Sequence, residues 1–347
     1  MESTPTRPSS PERSAAGSAD ARCHAAPLAR ALGEGPVVLD GAMGTELDAR
    51  GVPTAQELWS ALALVTAPGA VAAVHDSYLR AGAGVITTNS YQAALPALMR
   101  AGLSEPDAWG TIASSARIAL EAAERFSQER PGLSALVAGS LGPYGAYLAD
   151  GSEYTGAYSL TAPDFEAVHI PRIEALAGEG VRLFAVETQP RLDEAQWIVG
   201  QLGRLAPGAE CWVSFQVGDD GERLADGTPL AEAGAWADAE PAVSAVGINC
   251  VAPPAVAPAL GALSAVTAKP LVAYPNSGDI YHPATKTWTV AGGAQRFTGH
   301  ARPWARAGAR LIGGCCRTTP ADTAVLARAL SGGPASPAAA PLPEPRS

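Results

Sequence analysis

Eight short apolar runs recur along the middle of the chain. They are Val37-Val38-Leu39-Asp40, Val85-Ile86-Thr87-Thr88, Ala135-Leu136-Val137-Ala138, Leu183-Phe184-Ala185-Val186-Glu187, Trp212-Val213-Ser214-Phe215-Gln216-Val217, Ala245-Val246-Gly247-Ile248-Asn249, Leu271-Val272-Ala273-Tyr274 and Arg310-Leu311-Ile312-Gly313. Most are apolar at consecutive positions, the pattern of strands covered on both faces. Between them lie Ala/Leu/Glu/Arg-rich stretches with helical spacing, at 68–81, 107–129, 164–178, 191–204, 255–267 and 320–330. Such alternation predicts a parallel sheet, and eight units predict an α/β fold of the (β/α)8 TIM barrel type. A doubly wound open sheet is the alternative, but it usually has fewer strands and a Gly-rich phosphate loop after the first.

The two ends break the pattern. Residues 1–27 are rich in Ser, Pro, Ala and Arg, and residues 331–347 in Pro and Ala, without periodicity. Both are expected to be disordered tails flanking one barrel over 28–330. Of the 347 residues, 47% are hydrophobic, enough for a large core, and the formal net charge is −10. That balance argues against nucleic acid, whose binding rests on Lys and Arg neutralising phosphates. No apolar run is long enough to span a membrane and no signal peptide is visible, so the expected partners are small molecules and the expected compartment the cytoplasm. Oligomeric state cannot be read from the pattern.

The barrel reading places the chemistry. Active sites of this fold lie at the C-terminal ends of the strands. Polar or Gly-rich segments follow several of the predicted strands: Asp40-Gly41-Ala42-Met43-Gly44-Thr45-Glu46, Asn89-Ser90-Tyr91-Gln92, Gly139-Ser140-Leu141-Gly142-Pro143, Glu187-Thr188-Gln189-Pro190, Asn249-Cys250, Pro275-Asn276-Ser277-Gly278 and Gly314-Cys315-Cys316.

The chain has five cysteines, too few and too unevenly placed for a disulfide framework and in keeping with a reducing compartment. Cys23 and Cys211 stand apart. Cys250 ends the sixth strand and Cys315-Cys316 the eighth, separated only by the seventh. Three thiolates meeting there form a zinc site with one open position. Adjacent strand residues point to opposite faces, so a shared metal requires the backbone to turn, for which Gly313-Gly314 provides freedom. A strained vicinal disulfide is the competing reading of the pair. Three thiolates on a dication leave a net charge of −1, which suits activation of an incoming thiol better than of water.

Three segments then point to a family. Gly247-Ile248-Asn249-Cys250, Tyr274-Pro275-Asn276-Ser277-Gly278 and Gly313-Gly314-Cys315-Cys316-Arg317-Thr318-Thr319-Pro320 resemble the zinc-dependent homocysteine S-methyltransferases. The likeness runs from about Val37 to Leu330 and is to the short, stand-alone enzymes that use S-methylmethionine or S-adenosylmethionine, relatives of betaine–homocysteine methyltransferase. It implies a (β/α)8 barrel; zinc on Cys250, Cys315 and Cys316; Asp40 and Glu187 holding the homocysteine amino group; and Asn276 beside the metal. The implied reaction is attack of a zinc-bound homocysteine thiolate on the methyl of a sulfonium donor, giving methionine, with no catalytic residue beyond the metal site. Arg317 is expected to be structural. Methylation of another thiol or selenol, such as selenocysteine, and a non-catalytic zinc- or thiol-sensing barrel are the alternatives.

Overall fold

The computed structural model describes residues 27–54, 58–159, 161–282, 287–289 and 297–331. Apart from Pro27 and Ser331, the expected tails lie outside these residues, and so does Cys23.

All eight expected strands are present: β1 (Val37–Val38), β2 (Val85–Thr87), β3 (Leu136–Leu141), β4 (Leu183–Gln189), β5 (Glu210–Phe215), β6 (Val243–Asn249), β7 (Leu271–Tyr274) and, after a small antiparallel hairpin of β8 (Ile280–His282) and β9 (Thr287–Thr289), β10 (Ala309–Ile312). The eight barrel strands pair in parallel in the order β1-β10-β7-β6-β5-β4-β3-β2. A parallel bridge between Leu39 and Val85 joins the two ends, reinforced by Gly84 N donating to Val38 O at 2.8 Å and Asp40 N to Val85 O at 3.1 Å. The sheet is thus a (β/α)8 barrel. Helices Pro68–Ala81 and Pro320–Leu330 fall on the expected spans, and Glu105–Glu129, Ala162–Gly178, Leu192–Leu205 and Pro253–Ser264 fall within a few residues of theirs. Among the described residues no helix is long and apolar enough to cross a membrane.

The strands read as unbroken apolar runs because each feeds two cores. Phe184, Val186, Val213, Phe215, Val246, Ile248 and Ile312 pack outward against the helices. Leu39, Val85, Ala138, Leu183, Ala185, Trp212, Ala245, Val272 and Leu311 fill the barrel interior. The helix Pro27–Glu34, not expected from the sequence, adds Leu28 and Leu32 to that interior cluster.

The alternation of strand side chains carries a second consequence. Two residues beyond the apolar interior positions Val85, Ala138, Ala185, Trp212 and Val272 come Thr87, Ser140, Glu187, Ser214 and Tyr274, so the same inward-facing rows become polar at the C-terminal end. The end of the barrel that carries the chemistry is therefore built into the strands as well as the loops.

Behind the Cys315-Cys316 loop, helix Pro320–Leu330 starts with a capping box: Thr319 Oγ1 accepts from Asp322 N at 3.4 Å while Asp322 Oδ2 accepts from Thr319 N at 3.0 Å. Thr319→Ala is expected to destabilise the protein by about 1 kcal/mol, the usual cost of losing such a cap. Chemical denaturation measures this, and a midpoint equal to wild type would show that the cap contributes nothing.

Candidate metal and thiol site

Cys250, Cys315 and Cys316 come together: their Sγ atoms all lie within 4.8 Å of one another, and Cys250 and Cys316 are 3.7 Å apart. Each reaches the cluster by a break in strand geometry. Cys250 leaves β6 in the left-handed region at φ 55°, and its N–H donates to Tyr274 O at 3.1 Å. On the other side, β10 ends at Ile312 and the chain turns at Cys316 and Arg317, with Arg317 at φ 65° and Thr318 N donating to Cys315 O at 3.2 Å.

The expected freedom of Gly313 and Gly314 is used differently. Neither has a positive φ. They are required by crowding, since a Cβ on Gly313 would stand 2.5 Å from Leu39 Cβ and one on Gly314 2.4 Å from Thr318 Oγ1. Cys315 and Cys316 are free thiols, so the vicinal disulfide is not formed.

Asn276 fastens the two halves of the cluster together. Its Nδ2 donates to Cys250 O and its Oδ1 accepts from Cys316 N, both at 3.1 Å. Cys315 N donates to Pro275 O at 2.8 Å and Ser277 N to Cys316 O at 3.0 Å. The segment after β7 is thus a clamp between Cys250 and the Cys315-Cys316 loop. Arg317 points away, to Asp279 Oδ2 at 2.7 Å, and ties that loop to the segment leading into β8.

Three thiols so close, one buried and two half-buried, cannot all ionise unaided. Cys315 is held well above the usual thiol range by its hydrogen bonds with Cys250 and Cys316 and by burial, whereas hydrogen bonds with Cys250 and Cys315 push Cys316 well below it. A divalent ion would displace the thiol protons and take up all three sulfurs. The cluster is a candidate metal centre.

Beside it opens a cavity of about 210 Å³ lined by all three cysteines, Asp40 and Glu187. Asp40 Oδ2 accepts from Thr87 N at 2.8 Å and from Thr87 Oγ1 at 3.1 Å. Glu187 accepts from Ser140 Oγ on one oxygen and from Tyr274 OH at 3.0 Å on the other. Trp212 Nε1 in turn donates to Tyr274 OH at 3.0 Å. Burial raises Asp40 to about 8, with the charge of Glu187 contributing. Burial also raises Glu187 to about 7, against the hydrogen bonds from Ser140 and Tyr274. Both carboxylates are positioned, water-poor and short of positive charge, an environment suited to an ammonium group.

Thr87, Ser140 and Tyr274 were not assigned from the sequence. The signal was present in the strand alternation that carries the inward row from apolar to polar. Glu153 and Tyr154 also line the cavity, but they come from the turn Ser152–Tyr154 in the long β3–β4 connection, for which no strand-end rule applies. Burial raises Glu153 to about 7. A buried network supports this connection: Glu194 accepts from Tyr144 N at 2.6 Å, Tyr158 OH at 2.5 Å and His169 Nε2 at 2.9 Å, and Arg172 reaches Tyr91 O at 2.6 Å and Gly142 O at 3.1 Å.

Comparison with known proteins agrees with this geometry. Residues 37–330 match the family model for homocysteine S-methyltransferase. The homocysteine S-methyltransferase of Escherichia coli strain K12 is 46% identical over 292 residues, covering 84% of this chain and 94% of the relative. Homocysteine S-methyltransferase YbgG of Bacillus subtilis strain 168 is 42% identical over 295 residues, with 84% and 93% covered. The crystal structure of the homocysteine methyltransferase MmuM from Escherichia coli in its metallated form superposes with a TM-score of 0.78 at 44% identity, covering 86% of this chain and 99% of that one. On the family match, the relatives and the shared barrel, this chain belongs to the homocysteine S-methyltransferase family.

Proposed function

We propose that this methyltransferase forms methionine by moving a methyl group from a sulfonium donor, S-methylmethionine in the first place, to homocysteine. Zinc held by Cys250, Cys315 and Cys316 is the metal in this reading. The observation that carries it is the placement of three clustered sulfurs and two buried, hydrogen-bonded carboxylates in one cavity. The sulfurs fit zinc: with Zn–S bonds of about 2.3 Å, tetrahedral ligands stand roughly 3.8 Å apart, against 3.7 Å between Cys250 and Cys316. When bound, zinc supplies the positive centre that brings the homocysteine thiol to its thiolate form near neutral pH.

The chain's own groups do the rest. Asp40 and Glu187 take the substrate ammonium and give up the protons that burial makes them hold. Thr87, Ser140 and Tyr274 keep those carboxylates turned to the cavity. Asn276 keeps the cysteine-bearing loops in register. The thiolate lone pair forms the new S–CH3 bond while the old one breaks, its electron pair staying on the donor sulfur. A charge of −1 and one of +1 cancel, so the step is favoured in a cavity that excludes water, where orientation supplies much of the acceleration. No separate general base is required. Free thiols at Cys211, Cys250, Cys315 and Cys316 support a reducing compartment, the cytoplasm, for this chemistry.

The test is to incubate zinc-loaded protein and homocysteine with S-methylmethionine, S-adenosylmethionine or betaine separately and to measure methionine. Methionine is expected from the sulfonium donors, with two molecules formed per S-methylmethionine consumed. Product from betaine alone, or from none of the three, overturns the reading.

A further inference from the structure

One buried carboxylate in the cavity is left over once Asp40 and Glu187 hold the homocysteine ammonium. Glu153 is 6% exposed and lines the cavity, and its Oε2 makes no hydrogen bond. Its backbone is held firmly. Asp150 Oδ1 accepts from Ser152 N at 2.9 Å, and Gly156 N donates to Ser152 O at 2.8 Å. The turn also presses directly on helix Tyr144–Leu148, because a Cβ on Gly145 would stand 2.4 Å from Glu153 N. The neighbouring Tyr154 OH lies 3.8 Å from Cys250 Sγ. Glu153 is coupled electrostatically to Cys250 and Cys316, and Glu187 to Cys250 as well as to Asp40, so both carboxylates face the sulfur cluster, Glu153 from the β3–β4 connection and Glu187 from a strand end.

A fixed, buried carboxylate oxygen with no partner costs stability unless a cation meets it in the working complex. The metal is not that cation: the three cysteines form the ligand group and Glu153 is not part of it. In the proposed reaction the remaining cation is the sulfonium, which must approach the sulfur cluster from a direction the homocysteine backbone leaves open.

We infer that Glu153 is the counter-ion of the methyl donor's sulfonium, a donor-binding residue that selects cationic methyl donors over neutral thioethers. This rests on the function proposed above. The carboxylate is ionised when the sulfonium is bound and forms no covalent bond in the transfer. Its attraction is strongest for the intact sulfonium and fades as the positive charge is neutralised on transfer. It therefore lowers the donor KM without raising kcat, and it lets go of the neutral thioether product.

The experiment is steady-state kinetics of zinc-loaded Glu153→Gln and Glu153→Asp with homocysteine and S-methylmethionine, joined to calorimetric binding of S-methylmethionine without homocysteine. Glu153→Gln is expected to raise the donor KM and Kd at least tenfold, with kcat unchanged or slightly raised. The homocysteine KM and zinc content should match wild type and the melting temperature should be no lower, with Glu153→Asp recovering part of the donor affinity. An unchanged donor KM overturns the assignment. So does a rise confined to the homocysteine KM, a loss of zinc, or a lowered melting temperature with donor affinity intact. If wild type forms no methionine from any sulfonium, the function itself fails. If wild type turns over and Glu153→Gln binds the donor normally, only the role of Glu153 fails.

Discussion

Cys316→Ala is expected to leave a folded protein that neither retains its metal nor transfers methyl. The backbone at this position is held independently of the sulfur, by Asn276 Oδ1 accepting from Cys316 N at 3.1 Å and Ser277 N donating to Cys316 O at 3.0 Å. The substitution therefore removes one sulfur from the cluster without releasing the loop. Cys316 is also the thiol that Cys250 and Cys315 push below the usual thiol range, and its loss leaves two sulfurs where three lie within 4.8 Å of one another. Removing a residue that merely supports a metal ligand costs about 10–100-fold in affinity or activity, and loss of a ligand itself should exceed that. Metal analysis after dialysis and methionine formation are the two readouts. Cys211→Ala is the control: its sulfur is buried, donates to Ala242 O at 3.3 Å, and is pushed up to about 12 by burial. That variant should keep both metal and turnover. If Cys316→Ala keeps both as well, the three-sulfur centre is wrong.

The contrast between Cys211 and Cys316 shows what the sequence makes legible. Both follow or open apolar runs. Only the topology, with β10 next to β7 and β7 next to β6, brings Cys315 and Cys316 to Cys250. That adjacency follows from counting strands in a barrel, because sequential βα units can close in only one order. The strand count was legible because buried parallel strands are apolar on both faces. Asp40 and Glu187 were legible by the same logic, as charged residues where an apolar run ends. Their partners were harder. Thr87 and Ser140 look like ordinary strand residues until the inward row is traced, and Tyr274 reads as the start of a Tyr-Pro-Asn segment rather than as a donor to Glu187. Asn276 was placed beside the metal. Its position depends on backbone partners, Cys250 O and Cys316 N, which no side-chain pattern reveals. The helix Pro27–Glu34 was lost in a stretch whose composition resembles the tail before it; its two buried leucines gain their meaning only from the barrel interior they enter. Glu153 lies in a long connection, where burial is decided by packing against Gly145 and not by any local period.

Glu187→Gln is expected to lower kcat/KM for homocysteine by about a hundredfold, within the roughly 2–5 kcal/mol that truncating one partner of a buried charge pair costs. The donor KM and the metal content should change little. Glutamine keeps the size of the side chain and can still accept from Tyr274, so the change isolates the charge. The pH behaviour gives a second, independent readout. Burial raises Asp40 to about 8 and Glu187 to about 7, so near neutrality Asp40 is mostly and Glu187 partly protonated in the free protein. A group whose pKa is raised on folding contributes stability at low pH and loses it as pH climbs through the folded value. The ligand-free protein should therefore melt at lower temperature as pH rises toward 8, and Glu187→Gln should flatten that decline. Binding an ammonium reverses the preference and expels the protons. Methionine carries that ammonium but no ionisable thiol, so its binding at pH 7 should release roughly one proton per site by linkage, measured by calorimetry in buffers of different ionisation enthalpy. Release should fall in Glu187→Gln while Asp40 continues to contribute. Wild-type binding without proton release, or a homocysteine KM untouched by the substitution, would remove Glu187 from the amino-group site.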